Sequence, residues 1–335
     1  MLEANNRYPK INLKSKNDLA KRISGKALPY NEALKLINIV IENFDKYWHN
    51  VNKMSEPEKN KFVRSCKNTP LEKLLNLINK KILAPYDCLI PEFIFGGVSG
   101  RSHVGAVVYL LGNQRKRSKL SLDIKRFFEQ NSRERIFYFF NKKCQCSIKI
   151  SNILADLCCV PFGDKGNTGN KTIARGFATS SRLALWCNMD LFMRIYWKTK
   201  NILKNKDARI AIFVDDIGIT ASRVDKKDLE LLYDEVANIF FNPNSKHNLS
   251  IHDKNSKKTD FKNNTESGIE HLGLVIGKNK VSVGKKTRHK LNEIKKELFK
   301  ENLTREDRKK LIIKKKSINN YLRHIKLENN KNNNS

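Results

Sequence analysis

The sequence lacks an apolar run long enough to cross a membrane, and its first residues lack the basic-then-apolar pattern of a secretory signal. Its seven cysteines are an odd number, which does not favour a disulfide framework. The pair Cys144-x-Cys146 lacks the two-residue spacer usual in zinc sites, and no matching second pair follows. We therefore expect a cytoplasmic protein with reduced thiols, and neither a membrane partner nor a zinc site.

Acidic residues are scarce relative to basic ones. The chain has 66 lysines and arginines against 34 aspartates and glutamates, so its formal net charge is +32. An excess this large indicates a polyanionic partner, and nucleic acid is the leading candidate. The excess persists over 281–330, where sixteen residues are basic and six are acidic, and helices are predicted at 291–299 and 311–322. The asparagine-rich tail that follows is predicted to be disordered.

Against this basic background, one acidic pair stands between two apolar arms at 210–221. Isoleucine, valine, phenylalanine and threonine favour strands, and aspartate is tolerated in tight turns, so we expect a β-hairpin whose tip presents Asp215 and Asp216. A solvated turn is the simpler alternative. Adjacent acids between buried arms repel each other unless a cation neutralises them, and carboxylate oxygens suit Mg²⁺. The pattern therefore predicts a magnesium site.

A third carboxylate follows an alternating segment earlier in the chain. Leu120, Leu122 and Ile124 alternate as in a half-buried strand, with Asp123 near its end. A helix-capping role for Asp123 is the alternative. If this strand lies beside the hairpin, its carboxylate completes a metal site.

The remaining segments outline a mixed fold with room for one large domain or two to three subdomains. Thr69 and Pro70 are predicted to begin a helix as its N-cap and first residue. Other helices are expected at 31–48, 183–195 and 226–241, a second hairpin at 270–283, and a polar loop at 242–268. The glycine cluster at 93–100 would let backbone approach a ligand closely, and 163–169 is expected to be a flexible glycine-rich loop.

Several of these motifs, in their order along the chain, resemble those of a reverse transcriptase. The palm of that family is similar to Asp-Ile-Lys-x-Phe-Phe at 123–128, Gly-Phe-Ala-Thr-Ser-Ser at 176–181 and Phe-Val-Asp-Asp at 213–216. Phe213 stands where the family usually has tyrosine. Asn-Ser-Lys-Lys-Thr at 255–259 resembles a later palm motif, and His-Leu-Gly-Leu at 271–274 resembles the hairpin that holds the primer end. The resemblance covers about 50–325.

The resemblance implies an α+β fold of the right-hand polymerase type, with fingers, a palm of antiparallel sheet plus helices, and a helical thumb. The expected divisions are an irregular or partly helical N-terminal arm (1–30), fingers (31–118), palm (119–284, with a fingers segment near 130–170), basic helical thumb (285–328) and disordered tail (329–335).

It also implies a two-metal site that takes Mg²⁺ or Mn²⁺. The metal ligands would be Asp123, Asp215, the supporting Asp216 and the backbone carbonyl of Ile124. Phe128 matches the aromatic gate that excludes a ribose 2′-hydroxyl, and Lys258 is expected to protonate pyrophosphate or simply contact phosphate. The nucleotide-binding residues would be Lys61, Arg64, Arg101, Phe128, Phe177, Ala178 and Lys258, and the primer-holding residues His271, Leu272 and Gly273.

Among reverse transcriptases, the chain is most similar to retron enzymes and to the unclassified, defence-associated bacterial groups. It departs from retrons at 104–110, which lack Asn-Ala-x-x-His, and at Arg175, where the usual prolines and glutamine are missing. These departures favour an RNA-directed DNA polymerase that copies a bound non-coding RNA into DNA from dNTPs in antiphage defence, with an effector protein or a second copy as a further partner. The alternatives are a retron enzyme making RNA-linked DNA, untemplated or tyrosine-primed synthesis, and a non-catalytic RNA-binding scaffold.

Overall fold

The computed structural model describes residues 8–113, 116–241, 249–262, 268–300 and 302–333, which form a mixed α+β fold with antiparallel sheets. Parts of the predicted arm (1–7), polar loop (242–248 and 263–267) and tail (334–335) lie outside these ranges, as do 114–115 and 301. The helices are α1 (Lys16–Ile23), α2 (Tyr30–Glu42), α3 (Pro70–Ile78), α4 (His103–Tyr109), α5 (Arg133–Tyr138), α6 (Ile148–Cys158), α7 (Ser180–Cys187), α8 (Met189–Ile202), α9 (Lys226–Phe241), α10 (Lys285–Leu298) and α11 (Arg305–Asn333). The strands are β1 (His49–Asn50), β2 (Arg64–Ser65), β3 (Arg117–Asp123), β4 (Cys159–Pro161), β5 (Lys171–Ile173), β6 (Arg209–Phe213), β7 (Asp216–Ser222), β8 (Asp260–Lys262), β9 (Ile269–His271), β10 (Leu274–Ile276) and β11 (Val281–Val283).

The central sheet has four antiparallel strands in the order β6–β7–β3–β8. Along β3 the side chains alternate between the two faces. Leu120 and Leu122 are buried in the main hydrophobic core, whereas Lys119, Ser121 and Asp123 point to the opposite face. The predicted strand is therefore confirmed, and the face of the sheet that carries Asp123 is polar along β3.

The N-terminal segment is partly helical, which is one of the two expected forms, and it packs into the main core. Ile11, Leu19 and Ile23 are fully or almost fully buried there. Helix α1 begins with a capping box, because the Ser15 hydroxyl accepts from the Asp18 amide while the Asp18 carboxylate accepts from the Ser15 amide. Local capping and apolar burial together hold this segment against the rest of the chain.

A second, smaller apolar core lies on the polar face of the central sheet. It joins α4, the three-stranded sheet β11–β10–β9 and the C-terminal part of α11, through residues such as Val107, Leu274 and Ile325. It also contains Ala211 of β6, which is paired with Gly218 of β7. Because cross-strand partners share a face, this core lies beside the end of the sheet that carries Asp123.

Two predicted elements are divided differently in the structure. The expected helix at 183–195 is broken at Asn188, whose buried side-chain amide donates to Asn131 Oδ1 (2.8 Å) and to the Ala184 carbonyl (2.6 Å). The expected second hairpin is a three-stranded meander. Its first turn consists of Leu272 and Gly273, both with positive φ (49° and 75°), as a type I′ turn requires.

The basic C-terminal helices are longer than the sequence predicts. Helix α10 begins at Lys285, and α11 continues to Asn333, so 329–333 are helical where a disordered tail was expected. The Asn329 side chain accepts from the Val281 amide (2.8 Å) and donates to the Val281 carbonyl (2.9 Å), which attaches this helix to β11. Over the described ranges, no helix combines the length and apolar character needed to cross a bilayer.

Candidate active site

The acidic pair lies on a β-hairpin with a two-residue turn. Phe213 of β6 is paired with Asp216 of β7, so Val214 and Asp215 form the turn and Asp216 is the first residue of the returning strand. Val214 has φ of +60°, which is rare for a β-branched residue, and only the first turn position is positive, as in a type II′ turn. The hairpin is confirmed, but only Asp215 is at its tip.

A glycine holds this strained turn from one side. The amide of Phe95 donates to the Ile212 carbonyl (2.8 Å), so the segment before Gly96 lies alongside β6. A Cβ atom on Gly96 would lie 2.2 Å from the Val214 nitrogen, closer than any side chain can approach. Glycine at position 96 therefore allows this close contact with the hairpin that carries Asp215 and Asp216.

Asp123 lies directly opposite Asp216. It ends β3, where it is paired with Asp216 of β7, and the amide of Ile124 donates to the Asp215 carbonyl (2.9 Å). Three acidic residues from two distant parts of the chain therefore meet at one end of the sheet. The prediction that Asp123 ends a strand beside the hairpin is confirmed.

The carboxylates differ in their electrostatic surroundings. Asp123 accepts from His252 Nε2 (3.1 Å) and Lys258 Nζ (3.3 Å). Burial, together with the charge of Asp123, raises the pKa of Asp215. Burial and the charges of Asp215 and Asp123 raise the pKa of Asp216 to about 6. Positive charge placed between these groups would favour their ionised forms.

These residues fit a magnesium site in chemistry. All three side chains supply hard carboxylate oxygens, which Mg²⁺ prefers. Burial, together with repulsion between the aspartates, raises the pKa values of Asp215 and Asp216, and a bound cation would relieve that repulsion. Within the described ranges, no three His, Cys, Asp or Glu side chains are arranged closely enough to hold a metal as they stand. Asp123 is instead oriented towards Lys258, whose side chain is 61% exposed and free to turn into solvent.

The expected aromatic gate lies beneath an arginine. Phe128 is buried against Phe127, and the guanidinium carbon of Arg175 lies 4.8 Å from the Phe128 ring centroid. Arg175 is bidentate to Glu129, with Nε–Oε1 and Nη2–Oε2 distances of 2.8 and 2.9 Å. Burial alone would lower the pKa of Arg175, but Glu129, Asp215 and Asp123 raise it overall.

Other residues expected to contact nucleotide are divided between the surface and the core. Phe177 is buried and Ala178 is exposed, just after Gly176. Gly176 has φ of +108°, and a Cβ there would lie 2.3 Å from the Arg64 carbonyl oxygen. Glycine is therefore required at this close approach of two segments.

The three basic residues assigned to the triphosphate already have partners within the fold. Lys61 pairs with Glu56 at 2.7 Å, and Arg101 donates to the carbonyls of Ile90, Pro91 and Ile94. Arg64 is buried, and its guanidinium donates to Asn50 and to the carbonyls of Pro161 and Gly163. Arg64 and Arg101 therefore make contacts that stabilise the fold. Within the described ranges, no hydrogen bond or ion pair joins either guanidinium to the three aspartates.

The expected primer-holding hairpin lies against the polar face of the sheet. His271 is buried, its Nδ1 is 3.3 Å from Ser121 Oγ, and Gly218 leaves room for the ring. Lys119 donates to the Glu270 carbonyl and pairs with Asp260 at 3.1 Å. The turn residues Leu272 and Gly273 follow directly, so β3 fixes their position.

The C-terminal helix is linked to the hairpin that carries Asp215 and Asp216 through a histidine of α4. His103 of α4 stacks on Tyr321 of α11 (centroids 5.6 Å apart, 20° between planes), with Nε2 2.9 Å from the tyrosine hydroxyl. The same His103 ring meets Phe213 edge-on at 6.0 Å. A basic helix is thereby connected to the residue paired with Asp216.

Sequence reasoning missed three residues of the site. Arg175 was noticed only as a departure from the retron pattern, and Glu129 directly follows Phe128 without any motif of its own. His252 lies within the predicted polar loop at 242–268, where no periodicity marks it. Each gains its place from a partner far away in sequence.

Comparison with known proteins adds nothing to this geometry, because no protein-family model and no curated protein matches the chain. Its function is therefore argued from the site and from the motifs.

Proposed function

We propose that the chain is an RNA-directed DNA polymerase that copies a bound non-coding RNA in bacterial antiphage defence. The observation that carries the proposal is the meeting of Asp123, Asp215 and Asp216 at one end of an antiparallel sheet. The order of the resembling motifs along the chain supports it, as does the net charge of +32. The defence role rests on the departures from the retron pattern alone.

In this proposal the fold is a right-handed polymerase. The four-stranded sheet is the palm, the segments before β3 and near 130–170 are the fingers, and α10 with α11 is the thumb. Side chains on α10 and α11 are largely exposed and many are basic, which suits a duplex backbone. All seven cysteines are free thiols, as expected for a protein of the reducing cytoplasm.

The residues divide the chemistry among themselves. Polymerisation joins the primer 3′-oxygen to the α-phosphorus of a dNTP and releases pyrophosphate. Bound Mg²⁺ or Mn²⁺ would activate the 3′-hydroxyl and stabilise the developing phosphate charge. Asp123, Asp215 and Asp216 would hold the cation, with the Ile124 carbonyl beside them. Lys258 would leave Asp123 and contact the phosphates instead, where it would either donate a proton to pyrophosphate or neutralise phosphate charge.

The strained turn at Val214 has a role in this scheme. The Gly96 backbone and the Ile124–Asp215 hydrogen bond hold the turn in place, so the carboxylates are positioned before substrate arrives. Preorganised charge is the largest contribution to catalysis in many enzymes. The buried Phe128 would limit the space beside the nucleotide sugar.

The test is DNA synthesis by the purified chain on a defined RNA template, followed by sequencing of both the product and any copurifying nucleic acid. Product complementary to the RNA supports the proposal. Non-complementary DNA favours untemplated synthesis, and DNA attached to a tyrosine favours protein priming. A product joined to its own RNA favours a retron enzyme. If the chain binds RNA but incorporates no nucleotide, it is a scaffold and the proposal fails.

A further inference from the structure

Phe128, the ring expected to lie beside the nucleotide sugar, packs against the ion pair of Arg175 and Glu129. The guanidinium carbon of Arg175 lies 4.8 Å from the Phe128 ring centroid. The Nε and Nη2 atoms of Arg175 both donate to the carboxylate of Glu129, whose side chain is only 6% exposed. A guanidinium that is paired bidentately cannot rotate without losing two charge-assisted hydrogen bonds. The stacked ring beneath it is correspondingly restrained.

The backbone that carries Arg175 is fixed as well. The Arg64 amide donates to the Arg175 carbonyl (2.7 Å), and Gly176 packs directly on the Arg64 carbonyl. Just before it, the Ala174 amide donates to the Cys158 carbonyl (3.2 Å). Arg175 is therefore held at the backbone from both sides, and its side chain is held by Glu129.

We infer that Arg175 is a positioning residue for substrate specificity, which holds the Phe128 ring so that 2′-deoxynucleoside triphosphates are accepted and ribonucleoside triphosphates are rejected. This inference rests on the proposed function. Rejecting the ribose 2′-hydroxyl requires a ring that stays in place, because a mobile ring would move aside and admit it. The contacts of Arg175 with Glu129 and Phe128 restrain the Phe128 ring in this way.

A plain electrostatic role is the competing explanation. Burial would lower the pKa of Arg175, but Glu129, Asp215 and Asp123 raise it, so its guanidinium lies within electrostatic range of the carboxylates, and a direct contact with the triphosphate is the alternative role. A phosphate contact would affect dNTPs and rNTPs equally, because both carry the same triphosphate. The ratio of kcat/KM for dNTP to kcat/KM for rNTP therefore separates the two roles.

The experiment measures that ratio for the wild type, Arg175→Lys, Glu129→Gln, Phe128→Val and the double variant Arg175→Lys/Phe128→Val. Lysine keeps the charge but loses the planar fork and the stack. We expect Arg175→Lys to lower the ratio about 10-fold or more, a size typical of discrimination by one small group. Glu129→Gln should lower it in the same direction. In the Phe128→Val background, Arg175→Lys should change the ratio no further, because both act through one ring.

Arg133→Lys is the matched control. Arg133 makes the same bidentate contact to Asp156, with distances of 2.7 and 2.8 Å, and should leave the ratio unchanged when replaced. An unchanged ratio in both Arg175→Lys and Glu129→Gln overturns the inference, as does full additivity with Phe128→Val. A wild type that incorporates no nucleotide rejects the proposed function itself, so the two failures are distinguishable.

Discussion

Asp123 and Asp216 face each other across the two central strands of the sheet, at the last residue of β3 and the first residue of β7. Like charges in direct cross-strand positions destabilise a sheet. Two basic side chains, those of His252 and Lys258, contact Asp123, whereas within the described ranges no hydrogen bond or ion pair joins a basic side chain to the carboxylate of Asp216. This end of the sheet therefore concentrates negative charge that folding of the sheet does not require.

Mg²⁺ should stabilise the protein through these carboxylates. A cation that binds only the folded state at about 100 times its dissociation constant adds about 2.7 kcal/mol to the free energy of unfolding. We expect Mg²⁺ to raise the thermal unfolding midpoint of the wild type, and EDTA to reverse the rise. Asp123→Asn should remove most of this shift. Asp253→Asn, at a 79% exposed side chain, is the control and should keep it. An equal Mg²⁺ shift in Asp123→Asn would show that the cation binds elsewhere.

Replacing Gly96 by alanine should displace the hairpin that carries Asp215 and Asp216. The added methyl group would lie 2.2 Å from the Val214 nitrogen, so one of the two backbones must move. We expect a loss of about 1–3 kcal/mol in the free energy of unfolding, as for other overpacked sites, and a larger loss of nucleotide incorporation. Gly169→Ala is the control, because its methyl group would meet only the Asn167 side chain. Normal incorporation by Gly96→Ala would mean that the hairpin tolerates displacement.

The His103–Tyr321 contact should connect the C-terminal helix to catalysis. Tyr321→Phe keeps the stacked ring but loses the hydrogen bond, and should reduce the free energy of unfolding by about 1 kcal/mol. Tyr321→Ala removes the stack as well and should shorten the DNA made per binding event. Phe299→Ala, at a ring that is 87% exposed, should change neither quantity. Product length that is independent of Tyr321 would separate this helix from the reaction.

His271 should make stability depend on pH. Burial and the charge of Lys119 lower its pKa to about 3, below the usual 6.5. The neutral ring is thus favoured in the folded state, and the unfolded chain binds more protons between pH 6.5 and 3. Its contribution is complete above pH 6.5 and is lost as the pH falls, by up to about 1.4 kcal/mol per pH unit.

Unfolding at several pH values tests this expectation. Between pH 6.5 and 5, the wild type should lose stability more steeply than His271→Gln. The control His289→Gln replaces an exposed histidine, 78% accessible, and should leave the slope unchanged. Identical slopes for the wild type and His271→Gln would contradict the buried neutral state.

Local patterns were sufficient to predict several elements. Alternation identified β3, apolar periodicity gave the bounds of α9, and Thr69 with Pro70 begins α3 as expected, since the Thr69 hydroxyl accepts from the Glu72 amide. In each case the signal and the structure lie within one short segment. The residues alone allowed the association of Asp123 with the hairpin only as a condition, and the family resemblance implied it, because no local rule pairs two strands so far apart.

Long-range contacts account for what the sequence could not predict. The break at Asn188 depends on Asn131, and the burial of Arg64 depends on carbonyls about a hundred residues away. Arg101 looked available for phosphate, yet it satisfies carbonyls of the loop that precedes it. A charged residue in a sequence shows that it needs a partner, but only the fold shows whether that partner is substrate or backbone.

The most direct test of the account is single-turnover dNTP incorporation in Mg²⁺ by Asp123→Asn, Asp215→Asn and Asp216→Asn, each measured beside the wild type and Asp253→Asn. If the three carboxylates form one catalytic site, Asp123→Asn and Asp215→Asn should each slow incorporation by at least about 100-fold, while RNA binding and the control remain unchanged. Asp216→Asn, at the supporting position, should slow it in the same direction. Incorporation at the wild-type rate by Asp123→Asn or Asp215→Asn would contradict the account.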